Sequence, residues 1–487
     1  MAGSAATALT HSRVNAVTVE SAINVVERFG FSPDGSSDNY RAFRQLAAFA
    51  TERGGGRFFF PKGVYRVAKY RTTKTYQRPA FQAAHPTDIT NAVYSNCNGL
   101  ELIGDRASIK LNGGFHRSSA RQADGIVSGL LAATFMPFAL RRCTDVLISG
   151  FDIDGGVRDM TRDAGVTEAH AYLISLDACR RAILRDLSLH HSQTDAILLS
   201  DDTLLTGLLP GRACRDIRLE RVRCESNARG GLAPLQVLGL TCVDCSFNGS
   251  GRGTGAYGHH APGFGVDVEP DHRSPKDVDV KTGNLHFENC EFRDNFSAFL
   301  AAYIRSFQGS LTLINCNSSN RYNAPNHMII CWPGAVVDGG THDLGAGTFW
   351  TSWSGQRGGD LVLRHSRFYG SGHFGIFHAH PGNAVRLENV TITGTQDKPT
   401  FGAFPAIEAD PGAGRRNVIQ GCRIFLPRSR KQPRPATEMG AAFNHATCEG
   451  NLFKTDLKPS EGEFLVMYYD CAVAGDQFQG SIAAHRS

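Results

Sequence analysis

The chain contains no apolar run approaching the ~20 residues of a membrane span, which argues for a soluble protein. Its opening, MAGSAATALTHSRVNA, lacks the basic start and apolar core of a secretory signal, so the chain is expected either to stay inside the cell or to have lost an export signal. It also lacks a basic arm. The 51 Lys and Arg against 46 Asp and Glu leave a net charge of +5 spread along the sequence, which tolerates an anionic substrate but gives nucleic acid no concentrated patch. No phosphate loop follows a strand and opens a helix, which sets aside a nucleotide enzyme. Cys242 and Cys245 form a CxxC that no second pair completes into a zinc set. With 13 cysteines, an odd number, full pairing within one chain is excluded, and the CxxC is expected to be two buried thiols in a strand.

What the chain has in abundance is glycine (53) and phenylalanine (30), with frequent Asn and Asp, a composition of short strands and tight turns. One pattern recurs: two apolar residues at alternate positions, a small or polar residue, an apolar residue or Cys, another apolar residue, then a turn. It appears as AILRDLSLHHS from Ala182, LTCVDCSFNGS from Leu240, LHFENCEFRDN from Leu285, LTLINCNSSN from Leu311, LVLRHSRFYGS from Leu361, VRLENVTITGT from Val385 and NVIQGCRIFL from Asn417. Alignment puts Leu187, Cys245, Cys290, Cys316, Ser366, Val390 and Cys422 in one register, which accounts for the thiols without redox chemistry. A repeat of this size cannot bury an apolar face alone and must stack on its neighbours. The expected fold is an all-β solenoid, a single-stranded parallel β-helix with like residues laddered inside it.

Ahead of the repeats, Ser37 or Asp38 can cap a helix in which Phe43, Leu46, Ala47 and Ala50 share a face, and Gly54 to Gly56 end it. Such a helix would cover the open end of the strand stack. The expected organisation is a tail over residues 1–20 and one β-helix domain over 21–487, its N-terminal cap at about 21–66 and its last coils at the C-terminus.

Phe29-Gly30, Asp34-Gly35, Asp38, the triple glycine and FPKGVY from Phe60 to Tyr65 resemble the opening motif of the pectate-lyase-like, right-handed parallel β-helix superfamily. The motif covers about the first tenth of the chain, and the repeats carry the resemblance to near the C-terminus. The resemblance implies a right-handed coil, a polysaccharide or oligosaccharide partner, and a homotrimer as the assembly such flanks form. It does not choose a reaction, because the superfamily includes glycoside hydrolases, polysaccharide lyases, uronate epimerases, fructan-cyclising transferases and phage tailspikes.

A second strand type follows each turn, as in TDAILLSDD from Thr194, GFGVDVEPD from Gly263, HFGIFHAHPG from His373 and FPAIEADPG from Phe404. With the apolar alternates turned inward, Asp267, Glu269, Tyr303, Arg305, Glu408 and Asp410 are left outside, with Trp332, Trp353, His378 and His380 nearby. Carboxylates for acid/base work, cationic groups for charge and aromatic rings for sugar faces make a carbohydrate groove. Asp267 and Glu269 are the leading catalytic pair, followed by Asp195, Asp202, His378 and Glu408. Tyr303, Arg305, Trp332, Trp353, His380 and Asp410 are the substrate-binding candidates.

Asp195, Asp201 and Asp202 resemble the paired aspartates of polygalacturonase-like β-helix hydrolases, but no Asn precedes Thr194 and no Gly-His-Gly follows. Asp201 and Asp202 can equally cap a turn. His259 and His260 read as loop histidines.

The preferred activity is glycoside hydrolysis with paired carboxylates and no cofactor. The first alternative is a metal-dependent lyase or epimerase on a uronate polymer, with Asp267 and Glu269 holding Ca²⁺ and Lys276, Tyr303, Arg305 or a His moving the proton. The second is a glycan-binding or tailspike-like protein without catalysis.

Overall fold

The computed structural model describes residues 22–68, 92–111, 116–117, 120–121, 127–128, 135–159, 161–162, 172–202, 212–258, 263–268, 282–301, 309–319, 326–330, 334–345, 348–353, 360–370, 374–378, 384–394, 406–408, 417–426, 437–461 and 463–486. Among these residues the strands form two long sheets, one of 26 strands and one of 14. Successive coils pair in parallel, as Phe138–Arg141 does with Ile174–Asp177 and that strand with Asp195–Ser200. A short antiparallel pair joins Ala120–Arg121 to Val127–Ser128. The chain is an all-β parallel β-helix.

The repeat pattern has a conformational cause. The residue before each of these laddered positions takes the left-handed region: Asp186 (φ 55°), Asp244 (53°), Asn289 (54°), Asn315 (51°), His365 (52°) and Asn389 (54°), with Gly421 (63°) before Cys422. Asn and Asp tolerate that region better than other non-glycine residues, so they mark the corner where a coil bends within the larger sheet. The residue after the corner turns into the interior. Cys245, Cys290, Cys316 and Cys422 are buried there, and the pairings Ser246 with Glu291 and Glu291 with Asn317 place the first three directly above one another. Each thiol donates to a carbonyl, Cys290 to Cys242 at 3.5 Å and Cys316 to Phe287 at 3.4 Å.

Two coils of this ladder escape the sequence pattern. Val222 stands between Leu187 and Cys245, and Gly340 between Cys316 and Ser366. Gly340 has φ +81°, and a Cβ on it would lie within 1.9 Å of the Cys316 carbonyl oxygen, so this coil has room for backbone alone. A second thiol ladder runs along the opposite corner: Cys143 donates to Tyr94, Cys179 to Leu140 and Cys214 to Leu176 at 3.3, 3.5 and 3.2 Å. The eleven buried cysteines among the described residues are in no disulfide. Cys242 and Cys245 are both buried in the main core, as the isolated CxxC implied.

The helix Tyr40–Arg53 closes the N-terminal end, burying Ala42, Phe43, Leu46, Ala47 and Ala50. Phe43 packs against Phe31 (4.8 Å between ring centroids), Phe135 (5.6 Å) and Phe60 (6.0 Å). Full burial of a Phe or Leu side chain is worth about 1.5–3 kcal/mol, so this face fastens the cap to the first coils. The helix starts later than the sequence signal suggests. Asn39 is the N-cap residue and makes no side-chain capping bond, because its amide ties the cap together through Ser32, Ser37 and Arg66. Asp38 accepts from the backbone of Tyr40 and of Ala68, while Ser37 donates to Asp34. Gly54, left-handed at φ 74°, ends the helix. Among the described residues no helix is long and apolar enough to cross a membrane.

Candidate active site

The second strand type, including Asp195–Ser200, Phe264–Val268, Phe374–His378 and Ala406–Glu408, forms part of the 14-stranded sheet. In its strand Asp195–Ser200, Ala196, Ile197 and Leu199 join the main core, whereas Leu198 belongs to a separate cluster with Met136, Ala139, Tyr172 and Ala233. That cluster marks the outer face. Val266 and Val268 of the strand Phe264–Val268 are core residues, and pairing of Leu232 with Val266 puts Asp267 beside Ala233 on the outer face. The expected direction of the Asp267 side chain therefore holds. Its exposure differs from that of an open groove, since Asp267 is 1% and Asp195 0% accessible.

These two aspartates meet at Arg229. One guanidinium nitrogen lies 3.1 Å from Asp195 Oδ2 and the other 3.5 Å from Asp267 Oδ2. The strands that carry the aspartates are separated by the single strand Gly230–Pro234, so side chains cross roughly 10 Å of sheet to converge. Gly230 lets them do so. It pairs with Asp195, and a Cβ there would fall 2.3 Å from Asp195 Oδ1.

A second constellation sits farther along the same face, where Arg141, Asp177 and Ser200 occupy one register on three adjacent strands. Ser200 and Ser175 donate to Asp177 Oδ1 at 2.6 and 3.2 Å, and the Arg141 guanidinium lies 3.8 Å from Oδ2. Burial pushes the Asp177 carboxyl above the usual carboxylate range, against the lowering effect of Ser200 and Arg141. Asp202 is engaged differently: Arg142 reaches one oxygen at 2.8 Å and the backbone N–H of Arg212 the other at 2.6 Å.

Trp353 and His378 are register partners on neighbouring strands, and Glu408 pairs with Phe377 on the next. They lie three to five strands beyond Asp267, roughly 14–24 Å along the coil axis, and do not join the Arg229 centre. Glu269, Tyr303, Arg305, Trp332, His380 and Asp410 lie outside the described residues, as do His259, His260 and Lys276.

Sequence reasoning passed over Arg229, Arg141 and Asp177. The Gly230-Gly231 pair was the available signal for Arg229, since a double glycine inside a strand marks a close approach. It also passed over Asp154, His190 and His191, whose ligand atoms gather on the other sheet.

No protein-family model matches the chain. A 66-residue segment is 38% identical to the SPbeta prophage-derived uncharacterized protein YomE of Bacillus subtilis (strain 168), covering 14% of this chain and 10% of that protein's length. Among solved structures, the A-module of a mannuronan C-5 epimerase from Azotobacter vinelandii is similar at TM-score 0.45 and 12% identity, over 96% of this chain and 100% of that one. A tailspike protein of E. coli bacteriophage HK620 in complex with a hexasaccharide gives TM-score 0.47 and 8% identity over 96% and 80%. The Streptococcus pneumoniae surface protein and adhesin PfbA gives 0.40 and 11% over 96% and 100%. At these values the chemistry has to be read from this chain's own side chains.

Proposed function

We propose that the outer face of the 14-stranded sheet binds a poly- or oligosaccharide and that Asp195 and Asp267 hydrolyse a glycosidic bond there. The observation that carries this reading is the convergence of two buried carboxylates, from strands two steps apart, on the one guanidinium of Arg229. Hydrolysis needs one carboxylic acid to protonate the leaving oxygen and one carboxylate to activate water or attack the anomeric carbon, the two about 5–9.5 Å apart. A guanidinium bridging both holds them within about that range. Its charge acts in a poorly solvated site, where electrostatic interactions are stronger than in water. Asp177 lies on the same sheet, held by the Ser200 and Ser175 hydroxyls beside Arg141.

Elimination or epimerisation on a uronate polymer is the second reading, supported by Arg229 and Arg141 as guanidinium forks for a substrate carboxylate. The Ca²⁺ of such an enzyme would sit between Asp267 and Glu269. Arg229 already places positive charge 3.5 Å from Asp267, so the described residues fit that ion poorly.

Incubation with a panel of neutral and uronate-containing glycans separates these readings. Hydrolysis gives saturated new reducing ends, elimination gives an unsaturated uronate, epimerisation changes the uronate proton NMR spectrum without cleavage, and binding without turnover gives none of these. Asp195→Asn and Asp267→Asn are each expected to lower kcat by about 10²–10⁴-fold. Full activity in both variants, with a cooperative melt, would overturn the assignment of these carboxylates.

A further inference from the structure

The larger sheet ends two adjacent strands on a cluster that the carbohydrate reading does not use. Asp154 closes the strand Thr144–Asp154 and pairs with His190, the last residue of Arg180–His190. His191 follows at the corner with φ 55°, which turns its ring back towards the same point. His190 Nδ1 lies 2.8 Å from His191 Nδ1, His191 Nδ1 lies 3.2 Å from Asp154 Oδ1, and His190 Nδ1 lies 3.8 Å from that same oxygen.

We propose that Asp154, His190 and His191 form a binding site for one divalent first-row transition ion of the Zn²⁺ or Co²⁺ class. Three donors at 2.0–2.2 Å from such an ion stand about 3–3.5 Å from one another, close to the triangle seen here. Two imidazoles and one carboxylate are a donor set that these ions accept and that Ca²⁺ and Mg²⁺ do not favour. The surroundings are those of a built site. His190 uses its other ring nitrogen, Nε2, on Asp152 Oδ1 at 3.0 Å, and Asp152 is itself held by the Ser108 hydroxyl at 3.1 Å. A carboxylate behind a ligating imidazole fixes the ring and strengthens it as a donor. The backbone N–H of Gly156 donates to Asp154 Oδ1 at 3.0 Å and orients the third ligand.

The side chains of Asp154, His190 and His191 are 29%, 22% and 11% exposed, so an ion here has solvent access. Asp152, behind His190, lines an open groove of about 640 Å³ with Arg106, Ser188, Arg221 and Arg223. With three protein ligands, at least one coordination position stays open for water or a small anion. The ion would clamp two neighbouring coils and the corner that leads into the strand Asp195–Ser200.

The test uses the full chain after chelator treatment and dialysis. Titration with Zn²⁺ by calorimetry and with Co²⁺ by visible absorption is expected to give one ion per chain, without the charge-transfer band of a thiolate ligand. Asp154→Asn, His190→Gln and His191→Gln should each weaken binding at least 10-fold. Asp152→Asn, which removes no ligand, should weaken it about 10-fold. Saturating Zn²⁺ should raise the wild-type Tm and leave the Tm of the three ligand variants unchanged, with metal-free melts showing that each variant folds. No binding by the wild type, wild-type affinity in the ligand variants, or a thiolate band would overturn the proposal. Glycan turnover does not enter these readouts, so the site stands or falls separately from the proposed hydrolysis.

Discussion

Gly230 faces the Asp195 carboxylate so closely that a Cβ at residue 230 would lie 2.3 Å from Asp195 Oδ1. The missing side chain is therefore part of the site, because it leaves the volume in which Asp195 turns towards Arg229. Gly230→Ala is expected to displace that carboxylate and lower kcat by at least 10-fold, at a stability cost of about 1–3 kcal/mol. Steady-state kinetics beside a urea unfolding curve check it. Unchanged kcat would show that the position of Asp195 is immaterial to turnover.

Arg229 holds Asp195 and Asp267 with two different nitrogens of one planar group. An ammonium is a point charge and cannot span two carboxylates in that way. Arg229→Lys should keep a cooperative thermal transition while reducing kcat at least 10-fold, and Arg229→Ala should also lower Tm by several degrees, since it leaves buried charge uncompensated. Equal loss of structure and activity in the lysine variant would instead make Arg229 a packing residue.

The coil was legible in the sequence because its constraints are local. A left-handed corner favours Asn or Asp, the next position must turn inward, and the pair recurs on several coils, so Asp244-Cys245, Asn289-Cys290 and Asn315-Cys316 announce themselves. Gly340 was hidden because its coil meets the same demand with no side chain at all. The outward direction of Asp267 followed from alternation with Val266 and Val268. What alternation cannot supply is which coils meet. Arg229 precedes its strand in a turn, and its role depends on crossing to strands on both sides. Asp154 and His190 are 36 positions apart in sequence and register partners in space, a relation that only the pairing of coils creates.

The interior thiols carry a prediction about reactivity. Among the described cysteines Cys471 is half-buried and the others are buried. Burial pushes the Cys422 thiol up to about 11, and the hydrogen bond with Cys179 leads the effects that hold Cys143 at about 12, so neither forms appreciable thiolate near neutral pH. Iodoacetamide at pH 8 should modify Cys471 at least 10-fold faster than Cys245, Cys290, Cys316 or Cys422, with the difference lost in denaturing urea. Peptide mass spectrometry at timed intervals reads the order. Comparable labelling of Cys290 in the folded protein would contradict its placement in the ladder.

Acid stability should be limited by two imidazoles inside the coil. The Ser318 hydroxyl lies between His327 Nε2 at 2.8 Å and His342 Nδ1 at 3.0 Å, and His342 stacks on Phe368 with centroids 4.8 Å apart. Burial lowers His327 to about 3, with the His342 charge adding to the effect, and burial alone lowers His342 to about 4. Both values lie below the ordinary histidine value near 6.5, so the folded state keeps both rings neutral while the unfolded chain takes up protons first. Their neutral burial is therefore fully tolerated above about pH 6.5, and stability falls as pH drops from there towards 4, by up to ~1.4 kcal/mol per pH unit for each ring. His327→Gln keeps an amide group for Ser318 but cannot be protonated. Urea midpoints measured between pH 7 and pH 4.5 should fall more steeply in the wild type than in this variant. Parallel curves would show that the acid sensitivity comes from other groups.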